Sequence, residues 1–404
     1  MNIPLPIRSM DQAELRNKRV LVRVDLNVPM QDGQVTDTTR LMRVAPTLIR
    51  LAECGARVIV LSHFGRPKGL ESRYSLRVLQ RPLAQALVRE VAFASDCVGR
   101  PAEGAIRNLP VGGVLLLENL RFHEGEEKND AGFAKQLAAL GDVFVSDAFS
   151  AAHRAHASTV GLAKYLPAYA GPLMEEEIDA LHKSVDAPTR PLAAVIGGAK
   201  VSTKLKVIEN LLEKVDVLLI GGAMANTFLL AQGLKIGSSL GEPDLVPTAE
   251  RILHQAEGKN CRVLLPNDAV IADKLEPGVA SRLVRIDAVP ERAMILDVGP
   301  SSIANYLQQI QTVRSLVWNG PLGAFEIAPF DEGSVALARG VADYTRAGAL
   351  ISVAGGGDTV ALLNQAGVTQ DFTYVSTAGG AFLEYLEGAS LPGVECLRQK
   401  PSDV

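Results

Sequence analysis

Residues 349–363 read ALISVAGGGDTVALL. An apolar run stops at Gly355, Gly356, Gly357, Asp358 and Thr359 and then turns apolar again, a pattern that predicts strand, tight turn and helix. Three glycines remove every side chain where the chain leaves the strand, so backbone N–H groups at the helix start can approach a ligand closely, and a phosphate fits there. Asp358 would be poorly placed against a bare phosphate. It is well placed to hold a Mg²⁺ that the phosphate shares, and Thr359 adds a donor. Taken alone, the stretch fits equally a structural turn in which glycine eases packing and Asp358 or Thr359 is only the helix cap.

The chain has 404 residues, enough for two domains or three, each with its own core. Its 47% hydrophobic and 21% charged residues are ordinary for a soluble globular protein. A formal net charge of −4 gives no global attraction to nucleic acid or membrane. Residues 1–170 nevertheless hold 17 arginines against 5 lysines, a bias suited to bidentate anion recognition. Cys54, Cys97, Cys261 and Cys396 lie far apart without a CxxC, which argues against a zinc site or redox pair and fits reduced thiols in a cytosol. The N-terminus lacks a secretory pattern. The longest uncharged stretch, 217–234, is broken by paired glycines, Asn226, Thr227 and Gln232, so it reads as strand, turn and helix rather than a membrane span.

In KRVLVRVDLNVP (18–29), Val20, Val22, Val24, Leu26 and Val28 share one face, and Arg23, Asp25 and Asn27 share the other. Strands covered on both sides normally read apolar throughout, so three polar groups mark a site or a satisfied buried network. After an Asp32-Gly33 turn, a helical pattern starts with Arg40 near its N-terminal end. RVIVLSHFGRP ends in His63 and Arg66, VGGVLLLENLRF ends near Arg121, and DVFVSDAFSAAHRAH leads to His153, Arg154 and His156. The carboxyl ends of strands are where open α/β sheets bind ligands. A single arginine there is usually a solvated surface group, but the repetition points to an anion. His63, His153 and His156 have no carboxylate or Cys partner at ligand spacing, which favours anion contacts over a metal. His123, His182 and His254 receive no role.

Residues 165–190, with several prolines around a short Glu-rich helix, read as a connector. Beyond it the strand ends carry glycines and lysines instead: Gly197 and Gly198 with Lys200 and Lys204 four apart on one helical face, Gly221 and Gly222, Gly320, Pro321 and Gly323 leading to Glu326, the 355–359 turn, and Gly379 with Gly380. Backbone-rich turns with point charges suit a polyphosphate, and Glu326 could accept from ribose hydroxyls.

VLVRVDLNVP, SHFGRP, LENLRFHEGEEKND, DAFSAAHRAHAS, GPLMEEE, GGAKVSTK, GGAMANTF, WNGPLGAFE, GGGDT and STAGGAFLE occur in this order along the chain. Together they resemble the phosphoglycerate kinase family over essentially the whole length. The resemblance implies two doubly wound, Rossmann-like parallel-sheet α/β domains joined by a hinge helix, with the C-terminal tail returning to the N-terminal domain. It implies a phosphoglycerate-binding domain of 1–170 plus 388–404, a connector of 171–188 and a nucleotide-binding domain of 189–387. The implied reaction is reversible transfer from 1,3-bisphosphoglycerate to MgADP, giving 3-phosphoglycerate and MgATP, in a cytoplasmic monomer with no nucleic-acid or membrane partner.

By motif, the glycerate side is Asp25, Asn27, Arg40, His63, Arg66, Arg121 and Arg154. The nucleotide side is Lys200, Lys204, Glu326, Gly356, Gly357, Asp358 and Thr359, with Arg40, Lys200 and Lys204 catalytic and Asp358 on Mg²⁺. Four positions depart from the family's usual residues: Ser150 for Gly, Phe64 for Leu, Leu322 for Met or Val, and Ala378 within a glycine run. An NAD-dependent two-domain dehydrogenase is the alternative, but it wants G-x-G-x-x-G, and Val360 stands where the third glycine belongs. A non-enzymatic RNA or heparin binder would use the arginines but leaves Arg23, Asp25 and Asn27 unexplained. In the tail, Leu391, Val394 and Leu397 are expected to dock on the N-terminal domain.

Overall fold

The computed structural model describes residues 7–398. The chain forms two compact units, one running to Ile178 and resuming at Ser390, the other spanning Asp179–Ala389. The helix Pro172–Leu181 carries the chain from the first into the second, so the boundary falls inside a helix. Residues 1–6 and 399–404 of the expected first domain lie outside the described residues.

The first unit is built on a six-stranded sheet, in spatial order Val91–Phe93, Val114–Leu116, Arg57–Leu61, Arg19–Arg23, Val143–Ser146 and Ala168–Ala170. Every pairing in it is parallel. Its strands bury Val20, Val22, Val58, Val60 and Val145 against helices such as Thr39–Glu53, whose Leu41, Val44, Leu48 and Leu51 recur at helical spacing. The ladder from Arg19 stops at Arg23, five residues before the alternating pattern does at Val28. Val24, Leu26 and Val28 stay buried while Asp25 and Asn27 stay half-open, so the alternation persists in extended chain beyond the ladder. The tail belongs to this unit: Leu391, Val394 and Leu397 are buried, Gly393 donates its N–H to the Ala152 carbonyl at 2.8 Å, and Arg8 donates to that of Leu397 at 2.9 Å.

The second unit's main sheet runs Arg262–Leu264, Val217–Ile220, Leu192–Ile196, Ser315–Asn319, Ile351–Gly355 and Tyr374–Ser376, again all parallel. Winding starts at Leu192–Ile196, proceeds one way, and then restarts on the other side at Ser315–Asn319. That reversal opens a crevice between the carboxyl ends of these two neighbours. A three-stranded antiparallel sheet of Asp268–Ala272, Arg282–Arg285 and Met294–Val298 is inserted between the two halves of the winding. No helix among the described residues is long and apolar enough to cross a membrane.

Candidate active site

At the carboxyl end of the first unit's central strand, Asp25 is the hub. Its Oδ2 accepts from Arg40 Nη1 at 2.8 Å and from Ser150 Oγ at 2.6 Å, and its Oδ1 accepts from the Asn27 N–H at 2.9 Å. Burial alone would raise the Asp25 pKa, but Arg40, His63 and the two hydrogen bonds outweigh it and hold the carboxyl below its ordinary value. Arg40 Nη1 also donates to the Asn27 carbonyl at 2.9 Å, and Asn27 Oδ1 accepts from the Gly65 N–H at 2.8 Å. Arg121 reaches the Gly65 carbonyl from the other side. Asp25, Asn27, Arg40 and Arg121 are thus one connected set.

Beneath them lies Arg23, 1% exposed, which the sequence places on the polar face without assigning it a ligand. Its Nε donates to Ser158 Oγ at 3.0 Å, and Ser158 donates to buried Glu126. Burial lowers the Arg23 pKa, countered by the charges of Glu126 and Asp25. Arg23 Nη2 lies 3.0 Å from His63 Nδ1. A guanidinium can only donate, so Nδ1 accepts and the His63 ring proton stands on Nε2. Burial, then the Arg23 charge, pull the His63 pKa down to about 3, which makes it a neutral donor.

Arg66 and Arg154 are exposed, with no side-chain hydrogen bond or ion pair among the described residues. Both charges act on Arg121, whose pKa burial lowers and whose Nε lies 3.2 Å from Glu127. A cluster of guanidiniums in mutual repulsion is relieved by an anion.

In the second unit the crevice is lined by backbone. A Cβ on Gly197 would lie 1.9 Å from the Pro321 carbonyl oxygen, and one on Gly222, at φ +69°, would lie 2.6 Å from that of Gly198. Only glycine permits this approach. Lys204 Nζ enters the crevice and donates to the Gly197 carbonyl at 2.7 Å and to the Asn319 carbonyl and Oδ1 at 3.0 and 2.5 Å. Burial brings its pKa down to about 8, with Asp358 acting weakly the other way. Asn319 completes the frame by donating Nδ2 to the Gly355 carbonyl at 2.8 Å. Sequence reasoning singles out neither Asn319 nor Ser158. The signal for Asn319 is a polar residue ending the apolar strand SLVWN, whereas nothing local marks Ser158.

The strand Ile351–Gly355 gives way through Gly356, at φ +99°, to the helix Gly357–Ala366. Asp358 is exposed at its first turn, with no hydrogen-bond or ion-pair partner among the described residues. Thr359 is buried, and its Oγ1 accepts from the Gly320 N–H at 2.7 Å, so the hydroxyl braces the neighbouring turn while its own O–H proton is left for another acceptor. The two lysines do not share a helical face. Lys200 is extended and exposed ahead of the 3₁₀ turn Val201–Thr203, and the α-helix begins only at Leu205, after Lys204. Glu326 lies exposed in the turn after Phe325, with no bonded contact to the crevice residues.

A family model described as phosphoglycerate kinase matches residues 10–389. The phosphoglycerate kinase of Methylorubrum populi is 60% identical over 395 residues, covering 97% of this chain and 99% of that protein. That of Bradyrhizobium diazoefficiens is 58% identical over 393 residues, with the same two coverages. The solved structure of phosphoglycerate kinase from Coxiella burnetii aligns with a TM-score of 0.90 at 44% identity, covering 97% of this chain and 99% of that one. That from Pyrococcus horikoshii aligns at 0.82 and 34%, covering 97% and 98%. With two doubly wound units, one ending its strands in guanidiniums and the other in glycine turns around a buried lysine, the chain belongs to the phosphoglycerate kinase family.

Proposed function

We propose that the chain transfers a phosphoryl group reversibly from 1,3-bisphosphoglycerate to MgADP, giving 3-phosphoglycerate and MgATP, with 1–170 and 388–404 holding the glycerate and 189–387 the nucleotide. The observation that carries this reading is Lys204, an ammonium bonded to three neutral oxygens and to no carboxylate, at a crevice lined by glycine backbone. Such a cation is stabilised by an incoming phosphate.

Arg40 and Lys204 take the equatorial oxygens of the transferring group, with Lys200 in support. Asp25 and Asn27 fix the glycerate hydroxyl and aim Arg40. The His63 Nε2–H, Arg66, Arg121 and Arg154 hold the anionic ends of the glycerate. The Gly356 and Gly357 amides take nucleotide phosphate, Thr359 holds their turn in place, and Glu326 accepts from ribose. Asp358 suits Mg²⁺ as an unpaired, exposed hard-oxygen donor beside that phosphate site. When bound, the ion supplies neutralisation of adjacent phosphate oxygens. No nucleophilic side chain is needed, because in-line alignment and charge neutralisation carry this chemistry.

The two substrates belong to different units, so transfer draws the 171–188 connector into a hinge motion that also excludes water from the acyl phosphate. All four cysteines are free thiols, which supports a reducing, cytoplasmic setting. A coupled assay of ATP formation from 1,3-bisphosphoglycerate and MgADP tests the reading, with Lys204→Met as the inactive control. A folded protein that forms no ATP overturns it. Scattering adds a second check: the radius of gyration should fall only when both substrates are present.

A further inference from the structure

One cluster of donor side chains takes no part in the reaction. Asp96 and Cys97 lie in the bend between the strand Val91–Phe93 and the helix Gly99–Arg107, and His123 follows the turn Leu120–Phe122. A carboxylate oxygen, a thiol sulfur and an imidazole nitrogen, one from each residue, lie within 4.8 Å of one another. We propose that Asp96, Cys97 and His123 bind a borderline-soft divalent cation of the zinc type, leaving a fourth position to water.

The donor set selects the ion. Sulfur, nitrogen and oxygen together suit Zn²⁺ and discriminate against Mg²⁺, which takes oxygen ligands. Bonds of about 2.0–2.3 Å in a tetrahedron put donors roughly 3.3–3.8 Å apart. The cluster therefore has to contract only modestly, and its outer members can move: the Asp96 and His123 side chains are 39% and 32% exposed, whereas Cys97 is fully buried at the base. Solvent reaches the site from the side of the two movable ligands.

The ligands are already aimed. Asp96 Oδ1 accepts from the N–H groups of Cys97 at 2.6 Å and Val98 at 3.3 Å, and lies 2.7 Å from His123 Nε2. Oδ2 accepts no hydrogen bond among the described residues. Phe133 stacks on the imidazole at 5.0 Å between centroids, which fixes the ring plane. On binding, Cys97 gives up its thiol proton and forms the metal–sulfur bond, while the His123 ring proton that faces Asp96 from Nε2 passes through solvent to Nδ1, which frees the Nε2 lone pair for the ion. One proton is released per metal. The sequence conceals this site because Asp96 and His123 are 27 residues apart and meet only through the sheet.

The test uses the full chain freed of metal by chelation. Co²⁺ should give a thiolate-to-cobalt charge-transfer band in the near ultraviolet with tetrahedral visible bands, and one equivalent of Zn²⁺ should bleach both in the presence of excess Mg²⁺. Cys97→Ser should abolish the charge-transfer band. His123→Gln and Asp96→Asn should each weaken Zn²⁺ roughly tenfold or more, and Cys261→Ser, at a buried thiol in the other unit, should change nothing. Absence of the band, or zinc affinity unchanged in the Cys97→Ser/His123→Gln double variant, overturns the proposal. Should Cys97→Ser fail to fold, His123→Gln alone decides, because its half-exposed ring is not part of the core.

Discussion

The two units share a winding plan but prepare their strand ends in opposite ways. In the first, recognition groups are charged side chains held in register by other charges: Arg40 and Ser150 on Asp25, and Arg23 between His63 and the Ser158–Glu126 pair. In the second they are main-chain groups, brought within reach because Gly197, Gly222, Gly320 and Gly356 have no side chain to hold neighbouring turns apart. A side-chain network can lose a member and keep its fold. A backbone crevice cannot gain an atom without moving the turns themselves, so damage to the first unit's site should appear in rates and damage to the second's in stability.

The largest expected effect is on rate. Arg40→Ala should cost about 3–4 kcal/mol in transition-state stabilisation, which lowers kcat by roughly two to three orders of magnitude and leaves KM for the glycerate little changed. Steady-state kinetics that moved KM alone would make Arg40 a ground-state contact and weaken the contrast. Gly197→Ala should act the other way. A methyl 1.9 Å from the Pro321 carbonyl should destabilise the second unit by roughly 3 kcal/mol, and denaturant unfolding should show that transition moving earlier. Retained 3-phosphoglycerate binding would mean that the first unit is spared.

Asp358→Ala sharpens the comparison within the nucleotide side. MgADP affinity should fall about tenfold or more, while 3-phosphoglycerate affinity stays within about twofold, as for independent sites. Equal losses in separate calorimetric titrations would mean the two ligands share one site.

Lys204 supplies a pH test. With its pKa lowered to about 8, the ammonium is charged below that value and lost above it. In the free enzyme, kcat/KM for nucleotide should therefore hold on the acid side and decline by about tenfold per pH unit on the alkaline side. Bound phosphate should raise the pKa and shift the limb in kcat alkaline. A profile flat through about pH 9.5 would show that the lysine remains fully charged, since an unperturbed ammonium titrates only near ~10.4. The smallest effect is expected from Ser150→Gly, which removes a single 2.6 Å hydrogen bond to Asp25. Its loss should be worth about 1 kcal/mol, felt as a few-fold rise in glycerate KM. No change would mean that Arg40 and the Asn27 amide suffice to aim the carboxylate.

Much of this is legible from the sequence because each strand announces its own end. Apolar runs closing in SHFGRP, LENLRF or GGGDT put Arg66, Arg121 and Asp358 just beyond the carboxyl ends of strands without any tertiary knowledge. What cannot be read is contact between distant segments. Arg23 and Ser158 are 135 residues apart, and no local pattern says that the guanidinium on a polar strand face will be fully covered. The Thr359 hydroxyl carries no sign that it will face Gly320, 39 residues away. The lysine pair fails for a different reason. Spacing of four implies one helical face only inside an α-helix, and a 3₁₀ turn separates Lys200 from Lys204.

The short helix Pro392–Glu395, seated on Ala152, sets an order of manufacture. A ribosome delivers the first unit's other strands and helices early, then all of Asp179–Ala389, and only afterwards the segment that covers Ala152. At about 5–20 residues per second, that wait lasts on the order of tens of seconds. The unit begun first is therefore the one finished last, and the nascent chain carries an uncovered patch at Ala152 while the second unit, contiguous in sequence, can already be complete.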